Sequence, residues 1–180
     1  AENAEAIYQN YHDNEWGVPV YEDQKLFEML ILEGFQAGLS WLTILKKREH
    51  FRKAFNYFDV ACIAAYDEDK ITELMQNKGI VRNRRKICAA IQNAKVFLAI
   101  QKEYGTFSEY LWGFTNHQVQ YLQDKEMPVT TPLSDSISKD LKKRGMKFVG
   151  STIIYSYLQA VGVVHDHHKG CFLHVDDSNN

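Results

Sequence analysis

The apolar residues of this chain recur at intervals of three and four, and only Pro19, Pro128 and Pro132 interrupt them. Such spacing places apolar side chains on one face of an α-helix. No stretch of useful length alternates polar and apolar residues, as a half-buried strand would. The pattern therefore predicts an all-α protein of about eight helices. Its 180 residues suffice for a single domain, residues 1–180, with room for two helical lobes.

Capping residues mark where several helices begin. Ser, Asp and Asn side chains accept hydrogen bonds from the unpaired N–H groups of a first helical turn. The predicted helices are Asp23–Phe35, Trp41–Phe55 capped by Ser40, a short helix capped by Asp59, a helix capped by Asp67 that reaches Gln76, Asn83–Gln101, Phe107–Phe114, a helix capped by Ser134 that reaches Arg144, and Phe148–Val161.

Charge and composition exclude several functional classes. The net charge of -2 offers no overall attraction for nucleic acid, so DNA binding would need local basic patches. No run of about 18 apolar residues is present, so we expect no membrane span. The three cysteines are odd in number and widely spaced, and Cys62 and Cys88 fall in apolar helical patterns. We expect these two to be core residues of a protein from a reducing compartment, the cytoplasm.

A polar segment rich in aromatic residues indicates a ligand pocket. Tyr8, Tyr11 and Trp16 lie close together, and Trp41 follows a glycine-containing bend. Glu33 adds one carboxylate to an otherwise apolar helix face. Planar rings around a partly buried acid suit a flat, polar, cationic ligand. The alternatives are that Glu33 caps a helix or pairs with a basic residue, and that Trp16 and Trp41 only pack in the core.

Residues 137–162 form a candidate helical hairpin. A basic helix ends near Gly145, and a second helix begins at Gly150, Ser151 and Thr152, with Lys147 nearby. Unpaired backbone N–H groups at such a helix start, with the positive end of the helix dipole, favour an anion such as phosphate. The alternative is an ordinary pair of helices with a solvated basic face.

Histidine and cysteine residues near the chain end suggest a metal site. His167 and Cys171 are four residues apart, and His12 is a third candidate from the other end of the chain. Imidazole and thiolate are the usual zinc ligands, and a structural site takes four. The alternative is a histidine-rich tail without metal. Other histidines that could complete the site are His165, His168 and His174.

Five segments resemble one known family. They are Tyr8–Pro19, Leu32–Glu49, Gly79–Ile87, Lys143–Gly162 and Asp166–Cys171. Together they are similar to the bacterial DNA-3-methyladenine glycosylase I family from about Tyr8 to Cys171. The resemblance implies a helix-hairpin-helix fold whose hairpin lobe spans about 134–162, and a zinc snap that joins the two chain ends. It also implies removal of 3-methyladenine from double-stranded DNA, with release of the free base. We expect a cytoplasmic monomer with no membrane partner.

The resemblance also implies roles for individual residues. Glu33 matches the acid that hydrogen-bonds the damaged base. The matching aromatic walls are Tyr8, Tyr11, Trp16 and Trp41. The matching zinc ligands are His12, His167 and Cys171. The family's first zinc ligand is a cysteine before the Tyr-x-x-Tyr-His segment, and residues 1–7 contain no cysteine.

Methylation at N3 explains why aromatic walls and one acid suffice. The methylated base is cationic while attached to deoxyribose and departs neutral, so no strong general acid is needed. Tyr and Trp rings can surround the extruded cation while Glu33 accepts its exocyclic N–H. The turn containing Gln36, Gly38 and Leu39 is the predicted wedge, because an apolar tip can fill the gap in a base step. The alternative is an ordinary turn with Leu39 in the core.

Two other functions compete with base excision. A noncatalytic lesion-binding protein would keep the hairpin and the pocket but release no base. A helical interaction module would use its aromatic residues only as core. Release of free 3-methyladenine from methylated DNA would distinguish an enzyme from both.

Overall fold

The computed structural model describes residues 3–122 and 128–166, which are mostly helical. The helices are α1 (Ala4–Asn14), α2 (Asp23–Gln36), α3 (Trp41–Ala54), α4 (Val60–Ala64), α5 (Glu68–Met75), α6 (Arg84–Tyr104), α7 (Phe107–Gly113), α8 (Pro132–Lys143) and α9 (Ser151–Ala160). A 3₁₀ turn (Asn56–Phe58) follows α3. The strands β1 (Gln120–Leu122) and β2 (Val164–Asp166) pair in parallel. The all-α prediction is confirmed apart from this short pairing.

Most predicted caps are confirmed, and one is wrong. Ser40, Asp59 and Asp67 each accept a hydrogen bond from a backbone N–H in the first turn of the helix that follows. Asn83, predicted as the first residue of its helix, is instead the cap of α6. The helix predicted to begin after Ser134 begins instead at Pro132, with Thr131 as its cap. Ser134 completes a reciprocal capping box, its hydroxyl accepting from the Thr131 N–H.

Helix α1 was not predicted, because its polar and aromatic residues show no apolar stripe. Asn3 caps it by accepting a hydrogen bond from the Ala6 N–H at 2.7 Å. Of its residues, only Tyr11 is fully buried. The segment interpreted as pocket lining is therefore helical, and the helix aims single residues inward.

Helix α6 is the longest described helix and lies against α2, α4, α5 and α7. Buried phenylalanines fill the space beside it. Phe97 of α6 stacks on Phe107, with ring centroids 4.3 Å apart, and meets Phe27 of α2 edge-on. The prediction that Cys62 is a core residue is wrong, since it is exposed, and Cys88 is only half-buried.

The end of α9 packs against the segment that follows α1. The Gly17 N–H donates to the Ala160 carbonyl at 3.2 Å, and the Val20 N–H donates to Val161 at 2.9 Å. Gly162 has a φ of +77°, and a Cβ at this position would lie 2.5 Å from the Pro19 nitrogen. Only glycine fits there. The end of the last described helix is thus held against the segment that follows the first.

Candidate base pocket and DNA-contacting loops

Helices α1, α2 and α3 supply the predicted pocket residues Tyr11, Glu33 and Trp41. Tyr11 and Glu33 are each 4% exposed, although one carries a hydroxyl and the other a carboxyl group. The Tyr11 and Trp41 rings lie 5.5 Å apart with their planes tilted by 52°. Two of the four predicted aromatic walls are therefore in contact with each other.

The Glu33 carboxyl group is buried without a neutralising cation. No basic side chain in the described part of the chain forms an ion pair with Glu33. Burial alone raises the pKa of Glu33 to about 8. An ion-paired or helix-capping acid would have the opposite shift, so this result favours the pocket interpretation over the alternative.

Tyr11 shares the electrostatic environment of Glu33. Burial raises the pKa of the Tyr11 hydroxyl well above its usual range, and the charge of Glu33 raises it further. The Trp41 ring contacts the Tyr11 ring. The indole N–H of Trp41 is buried without a hydrogen-bond partner among the described residues. Such an orphaned donor is typical of a site that a ligand completes.

Ion pairs behind the pocket hold α1 against α2 and α3. Arg48 donates two hydrogen bonds to the Glu15 carboxylate, at 2.7 and 2.8 Å. Lys25 donates to the same carboxylate at 3.1 Å. Burial alone would raise the pKa of Glu15, but the hydrogen bonds and charges of Arg48 and Lys25 outweigh it and lower the pKa to about 2. The basic residue Arg48 is thus a structural partner within the protein.

The other two predicted aromatic residues lie further out. Trp16 packs against the core and stacks on His12, with ring centroids 5.5 Å apart and planes within 11°. Tyr8 lies one helical turn before Tyr11 and is 46% exposed. The structure therefore brings Tyr11, Trp41 and Glu33 together. Tyr8 lies on the outer part of α1, and Trp16 lies just after the end of that helix.

The predicted wedge is a tight, exposed turn between α2 and α3. Gly38 has a φ of +81°, and the Leu39 N–H donates to the Gln36 carbonyl at 2.6 Å. Leu39 is 40% exposed, which contradicts the alternative of a core leucine. Its side chain is available at the tip of the turn.

The buried side chain of Lys86 holds the start of the wedge turn (36–39). Its ammonium group donates to the carbonyls of Phe35 and Ala37, at 2.9 and 2.5 Å. These carbonyls are left unpaired where α2 ends. Burial lowers the pKa of Lys86. Because Lys86 directly follows Arg84 and Arg85, nothing in the sequence distinguishes it as a buried residue.

The hairpin is α8, the loop 144–150 and α9. Lys147 and Thr152 are exposed. Gly150 lies directly before α9. A Cβ at this position would have no other atom within 4 Å, so the space beside Gly150 is open. The Ser151 hydroxyl donates to Asp135 at 2.5 Å and lies 2.8 Å from the Ser134 hydroxyl. Ser151 therefore offers a phosphate its backbone N–H, because its hydroxyl is already bonded.

Asn93 holds the hairpin loop through both the oxygen and the nitrogen of its side-chain amide. Its oxygen accepts from the Lys147 N–H at 2.8 Å, and its nitrogen donates to the Lys147 carbonyl at 2.9 Å. Asn93 is 4% exposed. A polar residue on the apolar stripe of α6 is the signal that could have identified it from the sequence.

Residues 1–174 match the methyladenine glycosylase family. The chain belongs to this family. DNA-3-methyladenine glycosylase 1 of Escherichia coli is 51% identical over 168 residues, which cover 92% of this chain and 90% of that protein. The predicted resemblance is thereby confirmed, and with it the enzyme class, a glycosylase.

Solved structures of family members share the fold. A crystal structure of 3-methyladenine DNA glycosylase I superposes with a TM-score of 0.89 at 51% identity and covers 94% of each chain. A second structure, which addresses 3-methyladenine recognition by the Staphylococcus aureus enzyme, has a TM-score of 0.89 at 38% identity. It covers 94% of this chain and 92% of its own. The helical architecture is therefore that of the family.

Two of the predicted zinc ligands, His167 and Cys171, lie outside the described residues. The third, His12, lies in the last turn of α1, where its Nδ1 is 3.4 Å from the Asp13 carboxylate. Within residues 3–122 and 128–166, no cluster of three or more His, Cys, Asp or Glu side chains could hold a metal. No described helix is both long and apolar enough to cross a membrane.

Proposed function

We propose that this chain hydrolyses the N-glycosidic bond of 3-methyladenine in double-stranded DNA and releases the free base. Membership of the methyladenine glycosylase family supports the reaction. The observation that carries the mechanism is the buried, unpaired carboxyl group of Glu33 beside the Tyr11–Trp41 pair. A neutral acid next to aromatic faces suits a ligand that brings its own positive charge.

The methylated base is a good leaving group. When the bond between C1′ and N9 breaks, its electron pair moves onto the base and neutralises the positive charge. Water adds a hydroxyl group to C1′ and gives its second proton to solvent. The protein must extrude the base, hold it and exclude normal adenine, which is neutral and departs far less readily.

Glu33 changes its charge when the lesion enters. With a pKa of about 8, the carboxyl group is mostly protonated at pH 7 in the free protein. A cationic base beside it favours the ionised form. The resulting carboxylate accepts the exocyclic N–H of the base, and the orphaned Trp41 N–H and the Tyr11 hydroxyl supply further polar contacts. Binding of the lesion therefore releases a proton.

The aromatic walls supply selectivity. A desolvated cation over an aromatic face gains roughly 2 kcal/mol, which neutral adenine does not gain. Tyr11 and Trp41 are placed to make this contact, and Trp16 and Tyr8 would extend it toward the opening. The contacts that bind the lesion thus also discriminate against normal bases.

Two loops are proposed to engage the duplex. Leu39 at the exposed turn, with Gln36 and Gly38, would fill the space left by the extruded base. Lys147 and the backbone N–H groups of Gly150, Ser151 and Thr152 would hold a phosphate at the start of α9. A groove of about 650 Å³ beside the hairpin, lined by Arg85 and Lys147 among others, adds positive charge for the backbone.

We also propose a structural zinc held by His12, His167 and Cys171. The fit rests on His12, an imidazole near the end of α1, and on the contact between Gly17 and Ala160. That contact holds the end of α9 against the segment that follows α1. Zinc there would cross-link the two ends of the chain and take no part in the reaction.

The decisive experiment is incubation of the protein with methylated duplex DNA, followed by chromatography for free 3-methyladenine. We expect release by the wild type and strongly reduced release by Glu33→Gln, which stays folded and binds duplex DNA. Binding of methylated DNA without base release would support the noncatalytic alternative. We further propose that the active species is a monomer in the cytoplasm, testable by light scattering and by fractionation of cells.

A further inference from the structure

Helix α6 supplies a buried polar side chain to each of the two loops proposed to contact DNA. Lys86 donates to the Phe35 and Ala37 carbonyls at the start of the wedge turn. Asn93 pairs with both backbone groups of Lys147 in the hairpin loop. Lys86 is 9% exposed and Asn93 is 4% exposed. Each side chain therefore holds a loop backbone from inside the protein.

The spacing of these two residues places them on one face of one rigid element. They are seven residues apart, which on an α-helix is two turns, or about 10 Å, with little rotation between them. Their neighbours on that face, Ala89 and Ala90, are buried and apolar. A polar side chain there is costly unless its hydrogen bonds are made. Both residues make them to loop backbone.

The hairpin loop also touches the last turn of α2, just before the wedge turn. The Gly34 position faces the Phe148 side chain, and a Cβ there would lie 3.6 Å from the Phe148 Cβ. Phe148 has a φ of +55°, so the hairpin loop holds an uncommon backbone conformation at this contact. A shift of the hairpin loop would therefore press on the end of α2, where the wedge turn begins.

We infer that Lys86 and Asn93 are positioning residues that set the distance between the wedge turn (36–39) and the hairpin loop (144–150). This inference rests on the proposed function, in which both loops bind the same duplex. The phosphates and base steps of a duplex have fixed separations, so the two loops must be correctly spaced before binding. A displacement of about 1 Å is enough to slow a reaction substantially.

The two residues should affect different steps. Lys86 supports the turn that carries Leu39, so its loss should slow base extrusion and leave phosphate binding by the hairpin loop unchanged. Asn93 supports the loop that carries Lys147, so its loss should weaken binding to any duplex. Neither residue lies among Tyr11, Glu33 and Trp41, so binding of the free base should be unchanged.

The test compares Lys86→Met and Asn93→Leu with Lys95→Met, a matched control at an exposed position of α6. Three quantities are measured: the excision rate at saturating enzyme on methylated duplex, the affinity for intact and abasic-site duplexes, and the affinity for free 3-methyladenine. We expect Lys86→Met to lower the excision rate about tenfold and to keep the duplex affinity, because the Phe35 and Ala37 carbonyls would lose their hydrogen-bond donor. Asn93→Leu should weaken both duplexes about tenfold and keep the saturated rate. Lys95→Met should match the wild type.

Lys86→Arg, which restores the donors, should recover most of the rate. Free-base binding reports whether each variant is folded, and Lys86→Gln or Asn93→Ala replaces any variant that is not. Parallel loss of all three quantities, or values equal to those of Lys95→Met, would overturn the positioning roles. An inactive wild type would instead refute the proposed function itself.

Discussion

Arg48 lies over the ring of Tyr11, with its guanidinium carbon 5.7 Å from the ring centroid. The same guanidinium forms two hydrogen bonds with Glu15, so its charge is neutralised by that carboxylate. This arrangement allows a cation to support a pocket wall without repelling a cationic ligand. The pocket therefore depends on a carboxylate that does not line it.

Glu15→Gln should slow excision several-fold, because Arg48 would then present an uncompensated positive charge beside Tyr11.

The Glu15→Gln variant should also lose an acid-sensitive contribution to stability. The Glu15 pKa is lowered to about 2, so its stabilisation is complete above the ordinary carboxyl pKa and is lost as the pH falls toward 2. Denaturant titrations from pH 7 to pH 2 measure this. Glu49→Gln, at a more exposed carboxylate that pairs with Arg52, is the control.

Glu33→Gln should make the stability of the free protein less sensitive to alkaline pH. The folded protein keeps the Glu33 proton up to a pKa of about 8, whereas the unfolded chain loses it near the ordinary value. Between these two values the free energy of unfolding falls by about 1.4 kcal/mol per pH unit from this group. Urea denaturation at pH 5, 6.5 and 8 should show the difference between variant and wild type growing with pH. A constant difference would contradict the buried, neutral acid.

Leu39→Ala should lower excision from duplex DNA roughly tenfold, because a methyl group cannot fill the gap left by an extruded base. Stability should change by less than about 0.5 kcal/mol, since the side chain is partly exposed. Affinity for free 3-methyladenine should be unchanged. Excision from single-stranded methylated DNA, where no stack must be filled, provides the comparison. An equal loss on both substrates would rule out a wedge.

Lys147→Ala should weaken intact and lesion-containing duplexes equally, because a phosphate contact carries no information about the base. Loss of one such contact should reduce the slope of log affinity against log salt by about 1. Fluorescence anisotropy at several salt concentrations gives this slope. Lys53→Ala, at an exposed lysine in the last turn of α3, should leave it unchanged. A loss confined to lesion-containing DNA would contradict the assignment.

His12→Ala should lower the zinc content of the purified protein and its melting temperature, with little change in base release per folded molecule. The reason is that the proposed metal joins the chain ends and is separate from the Glu33 pocket. Elemental analysis before and after a chelator measures the effect. His117→Ala, at an exposed histidine beside Glu109, is the control. Equal zinc in both variants would exclude His12 as a ligand.

Much of the helical framework was predictable because capping is local chemistry. Ser40, Asp59 and Asp67 each cap the expected helix, since the cap and its N–H partner are only a few residues apart. Ser134 misled the prediction because it belongs to a capping box in which Thr131 comes first. Helix α1 was not predicted, because its aromatic residues are arranged for the pocket and leave no apolar stripe.

The supporting residues of the site could not be predicted in the same way. Glu33 was conspicuous as a lone carboxylate on an apolar face, and its burial agrees with that. Lys86 resembled its exposed neighbours Arg84 and Arg85, and only the fold shows that α2 ends above it. Asn93 and Lys147 are far apart in sequence, so their pairing depends on how the hairpin docks on α6.

The contact of Gly162 with Pro19 has a consequence for how the protein is made. Residues near the two ends of the described chain meet there, and the Tyr157 hydroxyl likewise donates to the Leu26 carbonyl at 2.7 Å. Contacts this distant in sequence carry a large loop-closure cost and cannot form until both partners exist. On the ribosome, the part of α2 that packs against α9 therefore stays uncovered until α9 has emerged. The core around α2 is thus completed only near the end of translation, and this interval is when the nascent chain is most exposed to aggregation.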